Sequence, residues 1–254
     1  MAMKISVRRI LPLTVVAAML HPAISTASEQ PLRLIELFTS HGCSSCPPAD
    51  RLLGELLEND SSLMALEYHV DYWDTLVHGG DGSWKDPFSS PEFTARQRAY
   101  FAAGMAGQAG VYTPQVVVNG QFATVGSDRG RLQRALEQVG SQQLDIGIDE
   151  ISAANGRELG IKVQGSAAQL EAVQGASLSL VRYIDSAVTP VTAGENKDLK
   201  LTNHHIVHAV EALGTLDAQS PLSYAVPVPA PDEGCVVILQ QGASGPVLAA
   251  AECP

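Results

Sequence analysis

The chain has 254 residues, of which 16 are basic and 27 acidic, and its formal net charge is −11 at neutral pH. A chain this acidic is poorly suited to binding nucleic acid or an anionic membrane surface through its overall charge. Its length suits one large domain or two domains of about 100 residues each, and the pattern of elements favours two.

Residues 1–27 have the pattern of a secretory signal peptide. Basic residues lie near the start, an apolar run follows over residues 10–20, and small residues lead up to Ala27. The apolar run is too short to span a bilayer, which takes roughly 20 apolar residues, although an uncleaved N-terminal anchor is the alternative. The pattern predicts an exported protein of the periplasm or cell exterior, with no membrane span after signal cleavage.

The segment after the signal peptide shows strand and helix patterns in turn. The stretch LRLIELFT, residues 32–39, is almost continuously apolar, which is typical of a strand buried on both faces of a parallel sheet. Leucines at helical spacing follow, in a helix expected to run from about Pro47 to Asn59, because the residue before a proline avoids the α region. The stretch MALEYHV, residues 64–70, predicts the next strand. This order predicts a right-handed βαβ unit.

A hairpin is predicted further along the chain. A helical pattern, PEFTARQRAYFAAG, follows an irregular stretch at residues 71–90. Asn119 and Gly120 then separate apolar runs at Gln115–Val118 and Phe122–Val125. Asn-Gly between two such runs is a strong signal for a β-hairpin. A capped helix ends this part of the chain.

From Leu144 onward the pattern changes to short alternating stretches between Gly, Asn and Ser turns. Five of these stretches predict strands: LDIGIDEIS, RELGIKVQG, ASLSLVRYID, CVVILQQ and GPVLAAAEC. The stretch HHIVHAVEALG fits either a strand or a helix. We therefore expect one domain at residues 28–143 and a second at residues 144–254, the second being an all-β, immunoglobulin-like sandwich.

Two features of the first predicted domain point to one fold. Cys43 and Cys46 lie between the first strand and its helix, and Thr113 and Pro114 directly precede the third strand. The order βα, β, ββα with CxxC at the first turn is the minimal plan of the thioredoxin fold, so an α/β thioredoxin-like domain is expected here. In thioredoxin-like proteins the Thr-Pro bond is cis and packs against the cysteine pair. The resemblance therefore places Pro114 beside Cys43.

A longer resemblance covers nearly the whole chain after the signal peptide. It rests on the runs LIELFTSHGCSSCPPAD, HVDYWD, WKDPFSSPEFTARQRAY, VYTPQVVVNG and AGENKDLKLTNHHIVHAV. These runs resemble the exported thioredoxin-like proteins classified as domain of unknown function 1223. That family implies a fold and a CxxC site but no known substrate. The segment TLVHGGDGS, residues 75–83, looks longer here than in its relatives.

The cysteine pair is predicted to be redox active. Cys43 lies at or just before a helix N-terminus, where free N–H groups and the helix dipole favour a thiolate, so it is the expected attacking sulfur. Cys46 would then resolve the mixed disulfide by attacking Cys43. As a nearby cation, His41 would favour the Cys43 thiolate further, and the alternative is an exposed loop histidine.

Four further residues complete the predicted site. Glu36 is the polar exception in the first strand, and the thioredoxin resemblance places it beneath Cys46, where it would pass protons to and from the thiol. A solvent-facing strand residue is the alternative. Asp71 and Trp73 follow the second strand, and Tyr112 precedes the Thr-Pro pair. Because ligand sites gather at the carboxyl ends of parallel strands, Asp71 and Trp73 are expected to bind substrate, with a packed loop core as the alternative for Trp73. Tyr112, next to the Thr-Pro pair, is expected to bind substrate as well.

The predicted function is thiol–disulfide exchange on protein or small thiol and disulfide substrates, with a redox partner protein and no cofactor. A second hypothesis is a protein that binds a soft metal such as Cu(I) through paired thiolates. No second CxxC, methionine cluster or spaced histidine pair lies near the cysteines, so no zinc site is predicted there. A third hypothesis is an interaction protein in which the CSSC disulfide is permanent.

Cys235 and Cys253 lie in the last two predicted strands. In an exported chain a structural disulfide between them is the preferred interpretation, because it would tie the C-terminus to the second domain. Two free thiols are the alternative.

Overall fold

The structure is a computed structural model that describes residues 33–76, 84–105, 110–153, 156–218 and 223–254. The predicted signal peptide and most of the TLVHGGDGS segment lie outside these residues. In the described ranges, none of the helices has the length and apolar character needed to cross a membrane.

Strands dominate the described part of the chain. In chain order they are β1 (Leu34–Thr39), β2 (Met64–His69), β3 (Gln115–Val118), β4 (Phe122–Val125), β5 (Asp145–Ala153), β6 (Gly156–Gln164), β7 (Ser177–Pro190), β8 (Lys200–Thr215), β9 (Ser223–Pro227), β10 (Glu233–Gln240) and β11 (Val247–Glu252). The helices are α1 (Pro47–Asn59), α2 (Tyr72–Leu76), α3 (Pro91–Ala102), α4 (Arg129–Glu137) and α5 (Ala167–Ala172).

These strands form two sheets. The large sheet has eight strands in the order β11-β10-β7-β8-β2-β1-β3-β4, and the small sheet has three in the order β5-β6-β9. In the large sheet β1 pairs in parallel with β2 and antiparallel with β3. The two halves of this sheet meet where Glu67 of β2 lies beside Ile206 of β8 in a parallel pair.

The predicted fold class is wrong. An α/β thioredoxin-like domain followed by an immunoglobulin-like sandwich would keep the two sets of strands in separate sheets. Instead, β7, β8, β10 and β11 extend the sheet of β1 to β4, and the structure is mostly β with short helices. Alternation along a strand shows which side chains share a face, but it does not show which strand lies next to it. The division of the chain at residues 143 and 144 stays a prediction.

The local predictions agree better with the structure. Helix α1 begins at Pro47, as expected. The hairpin turn has left-handed backbone at Asn119 (φ 49°) and Gly120 (φ 61°), which is the conformation that the Asn-Gly pair favours. Asp128 caps α4 by accepting a hydrogen bond from the N–H of Arg131 at 2.9 Å. The ambiguous stretch HHIVHAVEALG belongs to strand β8.

Both faces of the large sheet are covered. Helices α1 and α4 pack on one face of β1 to β4, and α3 packs on the opposite face. The small sheet packs against β7, β10 and β11. The apolar side chains that fill the layer under α1 and α4 include Ile35, Leu37, Leu52, Leu53, Val116 and Leu132.

Alternation along β1 and β2 decides which polar side chains lie under α1. Leu37 faces α1, whereas Phe38 faces α3. Because successive side chains of a strand point to opposite faces, Glu36 faces α3. On β2, Ala65 packs under α1, so Glu67 and His69, two and four residues later, are on the α1 side as well.

Candidate functional site

Cys43 and Cys46 form a disulfide at the start of helix α1. Their Cα atoms are 5.4 Å apart, and Cys46 is the residue immediately before the helix. The N–H of Cys46 donates to the carbonyl of Cys43 at 3.1 Å, and the N–H of Ala49 donates to the carbonyl of Cys46 at 2.8 Å. The pair therefore lies at the N-terminus of a helix of 13 residues, where the helix dipole favours negative charge.

Both cysteines are fully buried, with an exposed fraction of 0%, although Ser44 and Ser45 between them are exposed. A segment between β7 and β8, residues 194–198, lies against the CSSC turn, and we call it the cover segment. The buried side chain of Asn196 donates from Nδ2 to the carbonyl of Cys43 at 2.9 Å. The cover segment is thus held against the backbone of the turn that carries the disulfide.

Two more contacts hold the cover segment in place. Nδ2 of Asn196 also donates to the carbonyl of His41 at 2.9 Å. The backbone N–H of Ser44 donates to Oε2 of Glu195 at 2.9 Å. Hydrogen bonds from Ser44 lower the pKa of the Glu195 carboxyl, so this contact is made to a carboxylate at neutral pH.

Of the residues predicted around the pair, Thr113 and Trp73 are brought close to it. The Thr113-Pro114 bond is cis. Ser45 Oγ lies 3.3 Å from Cys43 Sγ and 3.5 Å from the carbonyl oxygen of Thr113, to which it donates. Trp73 donates from Nε1 to Oγ1 of Thr113 at 2.8 Å. Trp73 and Thr113 therefore form one side of the CSSC turn.

Asp71 and Tyr112 are held by helix α3. Oδ1 of Asp71 accepts a hydrogen bond from Thr94 Oγ1 at 2.5 Å. The carbonyl of Tyr112 accepts one from Gln97 Nε2 at 2.7 Å. A substrate-binding role for either residue stays a prediction.

Glu36 does not lie beneath Cys46. It is 1% exposed and faces α3, where Arg96 donates from Nε to its Oε1 at 2.5 Å and the hydroxyl of Tyr100 donates to its Oε2. Since α1 packs on the other face of the sheet, both the predicted position of Glu36 and its solvent-facing alternative are wrong. Glu36 is instead one partner of a buried ion pair.

A different carboxyl group lies on the α1 side of the sheet. Asp50 follows Cys46 by one helical turn, is 3% exposed, and accepts a hydrogen bond from Thr39 Oγ1 at 2.7 Å. Burial raises the pKa of Asp50 well above its ordinary value, and the nearby carboxyl of Glu67 raises it further. A buried carboxyl of this kind keeps its proton to higher pH than an exposed one and can act as a proton donor or acceptor.

His41 is not the exposed loop histidine that sequence reasoning left open. Its side chain is 1% exposed, and its Nε2 lies 2.8 Å from Oδ1 of Asn203 on β8. Its Nδ1 lies 3.3 Å from Oδ1 of Asp86, and its ring meets that of His69 edge to face, with centroids 4.8 Å apart. His41 therefore belongs to a cluster of buried titratable groups.

Asp86 is the centre of that cluster. Its Oδ2 accepts from the backbone N–H of His41 at 2.7 Å and lies 2.9 Å from His69 Nδ1. Burial alone would raise the pKa of Asp86, but His69 and His41 outweigh it and hold that pKa well below its ordinary value. Burial would lower the pKa of His69, but Asp86 and Glu67 outweigh it and raise that pKa to about 10.

The three side chains of His41, His69 and Asp86 are also close enough together to hold a metal ion. One potential ligand atom of each lies within 4.8 Å of the others, and all three residues are buried. Sequence reasoning missed this group, because the residues come from three separate segments of the chain.

The family described as "Protein of unknown function (DUF1223)" matches residues 34–240 of the sequence. The chain belongs to this family. A crystal structure of a protein from Agrobacterium tumefaciens is similar to this DUF1223 chain, with 28% sequence identity, a TM-score of 0.66, and coverage of 89% of this chain and 96% of that one. HBP35 of Porphyromonas gingivalis shares the fold at 11% identity and a TM-score of 0.56, covering 89% and 76% of the two chains. No curated protein matches.

The DUF1223 match contains the cysteine pair, the cover segment and the buried cluster, whereas Cys253 lies beyond it. Cys253 forms a disulfide with Cys235, with Cα atoms 5.3 Å apart, and its N–H donates to the Cys235 carbonyl at 2.8 Å. Asn196 and Asn203, which sequence reasoning missed, both fall in the run AGENKDLKLTNHHIVHAV. That run is one of the long stretches on which the family resemblance rests, and this was the signal in the sequence that the segment belongs to the site.

Proposed function

We propose that this DUF1223 protein is an exported thiol–disulfide oxidoreductase whose reacting pair is Cys43 and Cys46. The observation that carries the proposal is a disulfide at the N-terminus of α1 with a buried carboxyl of raised pKa, Asp50, one turn along the same helix. Pairs in this setting form stabilised thiolates and can exchange with thiols.

The exchange takes place in two successive thiol–disulfide exchange steps. A substrate thiolate attacks Sγ of Cys43, the Cys43–Cys46 bond breaks, and Cys46 leaves as a thiolate that takes up a proton. A second thiolate of the substrate then attacks the mixed disulfide, forms the substrate's own disulfide, and releases Cys43, which takes up the second proton. Two electrons pass from the substrate to the pair. The reverse sequence reduces a substrate disulfide.

Different features of the structure assist the two sulfur atoms: one stabilises the Cys43 thiolate, and the other supplies a proton to Cys46. The free N–H groups and dipole of α1 stabilise negative charge on Cys43 when it leaves or attacks. Asp50 is four residues after Cys46, so both lie on one face of the helix. In this proposal the Asp50 carboxyl gives a proton to the Cys46 thiolate as it leaves and takes it back when Cys46 attacks.

Because both cysteines have an exposed fraction of 0%, a substrate reaches Cys43 only after the cover segment moves. The contacts that must break are those of Asn196 with His41 and Cys43 and that of Glu195 with Ser44. Once the cover segment has moved, the substrate would approach between it and the side formed by Trp73 and Thr113.

The reduction potential of the pair tests this function. The purified protein is equilibrated with a series of glutathione redox buffers, the free thiols are alkylated, and peptide mass mapping reads the Cys43–Cys46 and Cys235–Cys253 bonds separately. Cys43→Ser is the control. A potential of roughly −270 to −120 mV for the first bond supports an exchange catalyst. A bond that resists reduction well below about −300 mV is a permanent structural disulfide, and the proposal is then wrong.

A further inference from the structure

The side chains of His41, His69 and Asp86 lie close enough together to surround one small ion. Nδ1 of His41 lies 3.3 Å from Oδ1 of Asp86, and Nδ1 of His69 lies 2.9 Å from Oδ2 of Asp86. Ligands bound to zinc at about 2.0 to 2.2 Å in a tetrahedral site lie about 3.3 to 3.6 Å from one another. The distance from His41 to Asp86 matches that spacing, whereas the distance from His69 to Asp86 is shorter and is that of a hydrogen bond. One ligand atom of each residue lies within 4.8 Å of the others, so small side-chain movements would bring all three to an ion.

The surroundings of His41 favour a cation beside its Nδ1. Nε2 of His41 lies 2.8 Å from Oδ1 of Asn203, and with this orientation of the amide Nε2 carries the proton in the neutral ring. Nδ1 then directs a lone pair at the carboxylate of Asp86, and it makes no hydrogen bond although it is buried. Two facing lone pairs repel, and a proton or a metal ion between them removes the repulsion. The poor hydrogen-bond geometry favours the metal ion.

His69 lies on the other side of Asp86 and forms a hydrogen bond to it, which a bound metal ion would replace. Its Nδ1 faces Asp86, and its Nε2 points toward Oε2 of Glu67 at 3.9 Å. Both carboxylate oxygens of Glu67 are buried without a hydrogen-bond partner, as is Nε2 of His69. In metal sites a ligating histidine almost always directs its second nitrogen at a carboxylate or carbonyl oxygen. Glu67 and Asn203 are placed to do this for His69 and His41.

Asp86 is held in position independently of the two rings. Its Oδ2 accepts from the backbone N–H of His41 at 2.7 Å, and its Oδ1 accepts from the backbone N–H of Phe88 at 3.1 Å. Oδ2 also accepts from Ser40 Oγ at 3.3 Å, so three donors outside the two rings hold the carboxylate between the histidines. Because the carboxylate is already held in position, it needs little reorganisation when an ion binds.

We propose that His41, His69 and Asp86 bind one divalent first-row metal ion, zinc in the first instance. Two imidazole nitrogens and one carboxylate oxygen form a donor set that suits zinc, and three protein ligands leave a fourth position for water or a small ligand. The site does not use the thiols, because Cys43 and Cys46 are bonded to each other. It is therefore a different site from the thiolate copper site considered from the sequence, and it is independent of the proposed redox function.

The experiment uses oxidised protein, so that no thiolate is available as a ligand. Because the three residues are buried, the protein is unfolded in a chelator, refolded with zinc sulfate, freed of loose metal by gel filtration, and analysed for zinc by mass spectrometry. We expect about one zinc per chain in the wild type and in the Cys43→Ser/Cys46→Ser variant. We expect less than about a tenth of that in Asp86→Asn and His69→Gln.

Two further variants control for loss of zinc through misfolding and for zinc bound by surface histidines. Asn203→Ala removes only the partner of His41 Nε2 and should weaken zinc binding about 10- to 100-fold in competition with a chromophoric chelator. His208→Gln removes a histidine exposed on β8 and should retain the zinc. In the wild type, cobalt(II) should give the visible spectrum of a four-coordinate site without a thiolate charge-transfer band.

Three results would overturn the proposal. They are the absence of retained zinc in the oxidised wild type, retention only after the cysteines are reduced, and equal retention by folded Asp86→Asn.

Discussion

The side-chain amide of Asn196 donates a hydrogen bond to the carbonyl oxygen of Cys43 at 2.9 Å, across 153 positions of the sequence. The same Nδ2 donates to the carbonyl of His41. One asparagine from the second half of the chain thus closes the turn that carries the disulfide. We therefore expect access to the disulfide to depend on a segment that is remote from it in sequence.

Replacing Asn196 should make the disulfide easier to reach. Asn196→Ala removes two hydrogen bonds, each worth a net 0.5 to 1.5 kcal/mol, so opening of the cover segment becomes easier by about 1 to 3 kcal/mol. Reduction of Cys43–Cys46 by dithiothreitol should then be roughly 5- to 150-fold faster, measured by alkylation and mass at a series of times. Lys197→Ala, an exposed change in the same segment, is the control. Equal rates in Asn196→Ala and wild type would show that the segment does not control access.

Asp50→Asn should make the folded protein more stable at alkaline pH. Burial raises the pKa of Asp50 in the folded protein, so between the ordinary and the raised pKa the folded state binds more protons than the unfolded state. The Asp50 contribution to stability is therefore fully present below the ordinary pKa and is lost as pH rises through the raised one. We expect Asp50→Asn to lack this loss and to unfold at higher urea than wild type at pH 8, measured with a chelator present.

The same change should slow catalysis. If Asp50 transfers the proton of Cys46, exchange with a dithiol peptide should be about 100-fold slower in Asp50→Asn, because a general acid or base contributes at least that much. Glu58→Gln, an exposed change near the end of α1, is the matched control. An unchanged rate in Asp50→Asn would assign Asp50 a purely structural role.

Local structure was predictable because short-range patterns determine it. The Asn119-Gly120 turn and the start of α1 at Pro47 follow from backbone preferences of single residues. The pairing of Glu67 with Ile206 depends instead on which apolar faces meet after the chain folds. Alternation of apolar and polar residues along β2 and β8 does not predict that these strands are neighbours. That one pairing is what makes the predicted fold class wrong.

The site was predictable only near the cysteines. The CxxC spacing identified Cys43 and Cys46, and the resemblance brought Thr113 into their neighbourhood. The choice of Glu36 failed because neighbouring side chains of a strand point to opposite faces of the sheet. The sequence alone does not show which of these faces α1 covers. Asp50 was visible as a polar residue one turn after Cys46, on a helix face that is otherwise apolar.

The revised position of Glu36 has a testable consequence. Glu36→Gln leaves the partly buried guanidinium of Arg96 without its carboxylate partner, so we expect a loss of up to about 3 kcal/mol in the free energy of unfolding, the lower end of the range for a buried pair. The reduction potential of Cys43–Cys46 should not change, because Glu36 lies on the opposite face of the sheet. Glu92→Gln, an exposed change on α3, should alter stability by less than about 0.5 kcal/mol. A shifted potential in Glu36→Gln would restore the proton-relay role that the sequence suggested.

The second disulfide should affect stability alone. Cys235 and Cys253 are 18 positions apart and join β10 to the residues after β11, far along the sheet from the CSSC turn. Closing a loop of this length stabilises the folded state by about 3 kcal/mol, since it restricts the unfolded chain. Cys235→Ala/Cys253→Ala should therefore lower the free energy of unfolding by about that amount, measured by urea titration of oxidised protein. The Cys43–Cys46 potential should stay the same, and a shift in it would mean that the two disulfides are coupled through the shared sheet.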